Sequence, residues 1–220
     1  TLGYIHSALP PLPLEYIYRK GSPKKIITHG ITQKEILANL LGWDSQNIIN
    51  TDSLRFSKNK IKLPHKTIYL PYYIENENLI VKELLRLFKN NYKRLSFSQL
   101  IIRNHPIMNN SLKHKRLMYK INKVISKFSK SSRQTLKFSN KKFAIVIGAS
   151  AVVVELIELG YEVFHITCSP EFDVYSPNIW KGINVKRISK YIYQYSIINK
   201  STLIKISNKK IKINQLFSKI

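Results

Sequence analysis

Phe143-Ala144-Ile145-Val146-Ile147-Gly148-Ala149-Ser150 opens the stretch whose reading decides the fold. An unbroken apolar run ending in Ile145-Val146-Ile147 fits a strand buried on both faces, and the small residues Gly148-Ala149-Ser150 bound it with a tight turn. Ala151 to Leu159 then reads as a short helix closed by Gly160, and Val163-Phe164-His165-Ile166-Thr167 reads as the next strand. Strand, turn, helix, glycine and strand make a βαβ unit. Val152-Val153-Val154 is β-rich for a helix, a weak propensity that burial overrides.

Working outward, a second unit of the same kind precedes it. Thr67-Ile68-Tyr69-Leu70-Pro71 reads as a buried strand that its proline stops. Asn78 to Phe88 is apolar at helical spacing through Leu79, Ile80, Leu84, Leu85 and Phe88. Leu100-Ile101-Ile102-Arg103 is the next strand, with Asn104-His105-Pro106 at its C-terminal end. Residues 112–128 form a basic amphipathic helix with Leu117, Ile121, Val124, Ile125 and Phe128 on one side. Two successive βαβ units imply a parallel sheet.

Residues 1–50 read as the end of another α/β unit. Gly3-Tyr4-Ile5-His6 and Lys25-Ile26-Ile27-Thr28 are short strands around a proline-rich stretch, and His29-Gly30 ends the second. Thr32 is the expected cap of a helix from Gln33 to Leu41, with Glu35 completing a capping box and Gly42 closing the helix. Trp43 is expected to anchor that end. The polar span 51–66 reads as a linker, 67–188 as the main domain, and the basic, Ile-rich residues 189–220 as a tail.

Composition sets the class. Hydrophobic residues are 44% and charged residues 22%, which is globular rather than disordered. No apolar run is long enough to span a bilayer. The opening Thr1 to His6 has neither a charged n-region nor an apolar h-region and lacks an initiator Met, so an N-terminal truncation is expected. A single cysteine, Cys168, can form neither an internal disulfide nor a cysteine-based metal site, as in a reducing cytosol. The net charge of +25 is spread in pairs such as Lys24-Lys25 and Lys209-Lys210 instead of long runs. Compositional bias explains much of it, since Lys, Asn and Ile also fill neutral loop positions. Attraction to an anionic membrane surface and nucleic-acid binding are the functional alternatives. No zinc-finger or RNA-recognition signature favours the latter.

Ligands of open α/β sheets bind beyond the C-terminal ends of the strands. Two features fall there: Arg103-Asn104-His105-Pro106 and Gly148-Ala149-Ser150. Arg103 and His105 offer side-chain donors to an anion, Gly148 allows close backbone approach, and Ser150 adds a hydroxyl at a helix start. Ser150 reads equally as a plain helix cap, and His105 as a turn residue. Glu155 stands one turn along that helix, where a carboxylate accepts hydrogen bonds from ribose hydroxyls. Together with Glu158 it also reads as a solvated charge. His6 and Gly30 lie at strand ends of the first unit and are candidates for a cleft between the two.

From about Thr67 to Ile188 the chain resembles the C-terminal part of a GT-B glycosyltransferase. His105-Pro106 is similar to the His-Pro motif of bacterial sialyltransferases and capsule Kdo transferases, and Gly148-Ala149-Ser150 to their donor-phosphate turn. Glu155 falls where GT-B enzymes often carry a ribose-binding glutamate. Gly3 to Ser7 and Lys25 to Gly30 resemble the last strands of a GT-B N-terminal domain. The resemblance implies an α/β fold with a Rossmann-like parallel sheet, helices on both faces, preceded by the end of a second α/β domain. It implies a cytoplasmic enzyme, peripheral at the inner membrane, that moves a sugar from a nucleotide donor, CMP-linked on this analogy, to a glycan or glycolipid acceptor in capsule or lipopolysaccharide synthesis. His105 would be catalytic, and Arg103, His105, Pro106, Gly148, Ala149, Ser150 and Glu155 would hold nucleotide and phosphate, with neither metal nor cofactor.

Departures accompany it. Ala149 and Ala151 flank a single Ser150 where the sialyltransferase turn has adjacent hydroxyls, and no Asp-Asp-Gly, Glu-Asp-Gly or Asp-x-Asp motif occurs. The rivals are a polyol-phosphate transferase of the teichoic-acid type and a non-catalytic basic module for nucleic acid or anionic membrane.

Overall fold

The computed structural model describes residues 1–10, 12–53, 66–91, 100–131, 142–200 and 202–206 of the chain. Positions 54–65 of the expected linker and 207–220 of the expected tail lie outside the described residues.

The first unit is a small parallel sheet of β1 (Leu2–Tyr4), β2 (Lys25–Thr28) and β3 (Ile48–Asn50), in the order β1-β2-β3. Helix α1 (Ile31–Leu40) crosses from β2 to β3. Ile5, Ile26, Leu37, Trp43 and Ile48 form its core, and the Trp43 indole N–H donates to the Tyr16 carbonyl at 2.6 Å. The capping expectation needs correction: Gly30 is the N-cap, no side chain caps the helix, and Thr32 is buried inside the first turn. Gln33 does that local work instead. Its Oε1 accepts from the His29 amide at 3.1 Å while its Nε2 donates to the Ser7 carbonyl at 3.0 Å.

The larger sheet has six strands. In chain order the elements are β4 (Lys66–Tyr69), α2 (Glu77–Asn91), β5 (Ile101–Arg103), α3 (Leu112–Ser131), β6 (Phe143–Ile147), α4 (Val152–Glu158), β7 (Glu162–Ile166), α5 (Pro170–Asp173), β8 (Ile183–Ser189) and β9 (Ile192–Ile197). The spatial order is β5-β4-β6-β7-β9-β8. The first four strands are parallel, but β9 runs antiparallel to both β7 and β8. The sheet is therefore mixed, not wholly parallel, and its terminal hairpin continues past residue 188 to Ile197. The sequence conceals this hairpin because β9 buries Ile192 and Tyr195, an odd spacing rather than strand alternation.

β6 is the spine. All five of its residues are buried, each large one contributing roughly 1.5–3 kcal/mol. Phe143, Ile145 and Ile147 face α2 and α3, while Ala144 and Val146 face α4 and the chain following β1. The second face explains how the two sheets join: Ala8, Leu12 and Ile36 share a core with Val153, Leu156 and Tyr175.

Residues 202–206 tie the units together. The Thr32 amide donates to the Thr202 carbonyl at 3.0 Å, the Lys205 amide to His29 at 2.6 Å, and the Ser53 amide to Lys205 at 2.8 Å. Glu158, also read as a solvated charge, is buried, and its Oε1 accepts the amides of Leu203 and Ile204 at 2.8 and 3.2 Å. Gly30 is needed for this closure, since a Cβ there would stand 1.9 Å from the Leu203 carbonyl oxygen.

Candidate functional site

β5 lies on one side of β4 and β6 on the other, so the chain leaves β4 in both directions. Such a switch point opens a crevice beyond the strand ends, because the flanking loops diverge. A cleft of about 700 Å³ occupies this place. It is lined by Tyr69 to Tyr72 after β4, by Arg103 to Pro106 and Asn109 after β5, and by Ala149 to Val152 after β6, with Ser7 and Leu9 opposite. Its volume falls within the range of small-molecule sites.

Arg103, His105, Pro106, Ala149 and Ser150 thus meet around one cavity although more than forty residues separate the two groups in sequence. Gly148 lines a smaller neighbouring cavity with Pro71 and Tyr72. Glu155 is buried on α4 and does not line the cleft. His6 is exposed, and neither it nor Gly30 reaches the cleft lining. Gly30 lies beneath Leu203.

Asn104 shapes the His-Pro turn. Its Oδ1 accepts the His105 amide at 3.0 Å and its Nδ2 donates to the Met108 carbonyl at 2.9 Å. The His105 ring stands edge-on to Tyr72 with centroids 5.3 Å apart, and its enclosed Nδ1 has no hydrogen-bond partner among the described residues. A proton on Nε2 in place of Nδ1 avoids a buried N–H without a partner and gives the ring a donor there. The N-terminus of α3 braces this wall: His114 Nε2 donates to the Pro71 carbonyl at 2.9 Å and Ser111 pairs with its Nδ1 at 3.0 Å.

The Gly148 turn has φ +68°, and a Cβ there would come within 3.0 Å of the Pro71 side chain. Ser150 sits one residue before the assigned cap, Ala151, and its Oγ accepts the Val152 amide at 3.3 Å. Accepting leaves the hydroxyl proton available to a ligand.

A buried network holds the turn from behind, and the sequence did not single it out. His165 Nε2 lies 3.0 Å from the Gly148 carbonyl, an acceptor, so Nε2 carries the proton. Nδ1 must then accept, and the Tyr195 hydroxyl supplies that bond at 3.2 Å. Tyr195 Oη in turn accepts the Tyr175 amide at 3.2 Å. The Tyr175 hydroxyl bridges the Ala8 carbonyl at 2.7 Å and the Ser150 carbonyl at 3.2 Å, joining both cleft walls. Burial pushes the His165 imidazole down to about 4, against the opposing effect of its bond to Gly148, so it is neutral near pH 7.

Tyr69 is the other residue the sequence left as a plain strand position. Burial raises its phenol above the ordinary value; Arg103, through hydrogen bonding and charge, and Thr67 pull against the rise, and Glu155 adds to it. Arg103 is near enough for that electrostatic effect, yet the hydroxyl has no well-aligned hydrogen-bond partner among the described residues. A tyrosine two residues before a strand-stopping proline was the available signal.

No family model matches the chain, and neither a curated protein nor a solved structure matches it.

Proposed function

We propose that the chain binds the nucleotide-sugar donor of a bacterial surface-polysaccharide glycosyltransferase, with the GT-B-like arrangement that its motifs resemble. One observation carries the reading: Arg103 to Pro106 and Ala149 to Val152 line the same cleft at the switch point of the sheet. The lining chemistry supports an anionic ligand. Arg103 brings fixed charge, His105 a directed N–H and Ser150 a free hydroxyl proton, while no Asp or Glu is among the lining residues.

In transfer, the bond between the sugar's anomeric carbon and the donor phosphate breaks, and negative charge collects on the departing phosphate. Donors already oriented toward that charge lower the barrier without reorganising. In this scheme Arg103 and His105 Nε2 meet the phosphate oxygens, and the Ser150 hydroxyl donates a further bond. His165, held neutral, fixes the Gly148 carbonyl and thereby the turn. The carboxylate that would deprotonate the acceptor is not among these lining residues, so the proposal covers the donor half of the reaction.

The buried position of Glu155 bears on the ribose assignment: its charge acts on Tyr69, and it does not line the cleft. The polyol-phosphate alternative uses the same phosphate chemistry, and a donor comparison separates them.

The test is calorimetric titration of the chain and its His105→Ala variant with CMP, UMP, CDP-glycerol and inorganic phosphate. Nucleotide binding that His105→Ala weakens by roughly 10-fold or more, as expected for loss of a charge-assisted bond, supports the proposal. Equal affinity of both proteins for every nucleotide would remove His105 from the site. Tightest binding of CDP-glycerol would favour polyol-phosphate transfer.

A further inference from the structure

The outer face of α3 and the loops beside it carry a feature that the cleft does not use. On a helical wheel Leu112, Lys115, Arg116, Tyr119, Lys123 and Lys127 fall on one stripe, opposite the buried Leu117, Ile121 and Val124. No acidic residue occurs anywhere between Leu112 and Ser131. The stripe is not merely basic. Leu112 is 82% exposed and Tyr119 60% exposed, and Lys123 Nζ lies 4.6 Å from the Tyr119 ring centroid.

The same surface continues to the cleft mouth. Lys113 Nζ donates to the Ile74 carbonyl at 2.5 Å and sits 5.2 Å from the ring centroid of Tyr73, which is 69% exposed. Tyr72, next to Tyr73, packs on His105, and Ile107, 74% exposed, lies in the turn that His105 begins. Aliphatic tips, tyrosines and lysines therefore flank the wall of the cavity, with Glu75 and Glu77 the acidic residues beside Lys113 and Arg116.

We infer that these flanking residues and the outer stripe of α3 form a docking surface for a bilayer containing anionic lipid. Charge complementarity is the first reason: Glu77 pairs with Arg116, while Lys115, Lys123 and Lys127 keep the stripe net positive, which favours an anionic surface by roughly 1 kcal/mol per Lys or Arg. The exposed Leu112 and Ile107 are the second. Aliphatic side chains gain by entering the headgroup–acyl boundary, whereas on a nucleic acid they neither stack like aromatics nor meet phosphate. Tyrosines with an apolar ring and polar tip suit that boundary as well. The orientation would set the cleft mouth at the membrane surface, within reach of a substrate held there. This inference does not depend on the identity of the ligand in the cleft.

Flotation of the chain with vesicles of phosphatidylcholine, alone or with one-third phosphatidylglycerol, tests it. Binding is expected only with the anionic lipid and should weaken as salt rises. Lys115→Gln and Lys123→Gln should each weaken it about fivefold, the equivalent of roughly 1 kcal/mol. Leu112→Gln and Ile107→Gln should weaken it about tenfold, with thermal unfolding unchanged because both side chains are exposed. Equal binding to the two vesicle types would overturn the inference, as would wild-type affinity in the Leu112 and Ile107 variants. Tighter binding to a polynucleotide, weakened by the same lysine substitutions and indifferent to the aliphatic ones, would assign the face to nucleic acid instead.

Discussion

Acidification should unlock the buried network behind the Gly148 turn, and its size follows from His165. In the unfolded chain this imidazole titrates near 6.5, whereas in the fold burial holds it at about 4. The folded value is the lower one, so the unfolded state takes up the proton first as pH falls. The network's contribution is whole above about pH 6.5, declines through the interval and is lost by about pH 4. A gap of that width at roughly 1.4 kcal/mol per pH unit amounts to roughly 3–4 kcal/mol. The cause is burial: a charged imidazolium would stand desolvated, and its second proton would displace the Tyr195 hydroxyl proton that now bonds Nδ1. Urea unfolding, followed through the buried Trp43 and Trp180, should be measured at steps from about pH 7 to about pH 4.5. His165→Gln is the reference, since an amide can donate to Gly148 and accept from Tyr195 without titrating. Subtracting its profile removes carboxylate effects, among them Glu77, which bonds to Arg116 hold down at about 2 and whose contribution is lost as pH falls from about 4.5. Wild type should lose stability relative to His165→Gln across the window. Parallel profiles would refute the neutral, doubly bonded His165.

Two substitutions probe the cleft walls by stability alone. Gly148→Ala forces a left-handed backbone on a side chain, costing about 1–2 kcal/mol, and adds a contact with Pro71; Gly160→Ala meets the backbone cost in open space. Unfolding should therefore show the larger loss at Gly148, and equal losses would mean that Pro71 yields freely. Tyr69→Phe removes a buried hydroxyl without a well-aligned partner, so chemical unfolding should show unchanged stability or a gain of up to about 1 kcal/mol. A loss above about 1 kcal/mol would reveal a bond to that hydroxyl.

What the sequence disclosed depended on whether the deciding interactions were local. β6, its turn and β7 were legible because a strand buried on both faces must be apolar throughout, and Gly148 marks the turn it permits. Arg103 to Pro106 were legible as chemistry at a strand end, though only the fold could bring them to Ala149 and Ser150. The cap of α1 was misjudged because Gln33 bonds back to His29 and Ser7, which leaves Thr32 free to be buried. Glu158 resembled a surface charge because the amides that satisfy it lie 45 and 46 residues downstream. The β8–β9 hairpin escaped notice for a related reason: Tyr195 is drawn inward by His165 and Tyr175, which no strand pattern records.

The most direct measurement of the central claim is where a nucleotide sits. A crystal structure of the chain with bound CMP or UMP should place the phosphate in the cleft, within hydrogen-bond distance of His105 Nε2 and the Ser150 hydroxyl, with Arg103 beside it. A nucleotide bound elsewhere, or a phosphate in the cleft that touches neither His105 nor Ser150, would contradict the account.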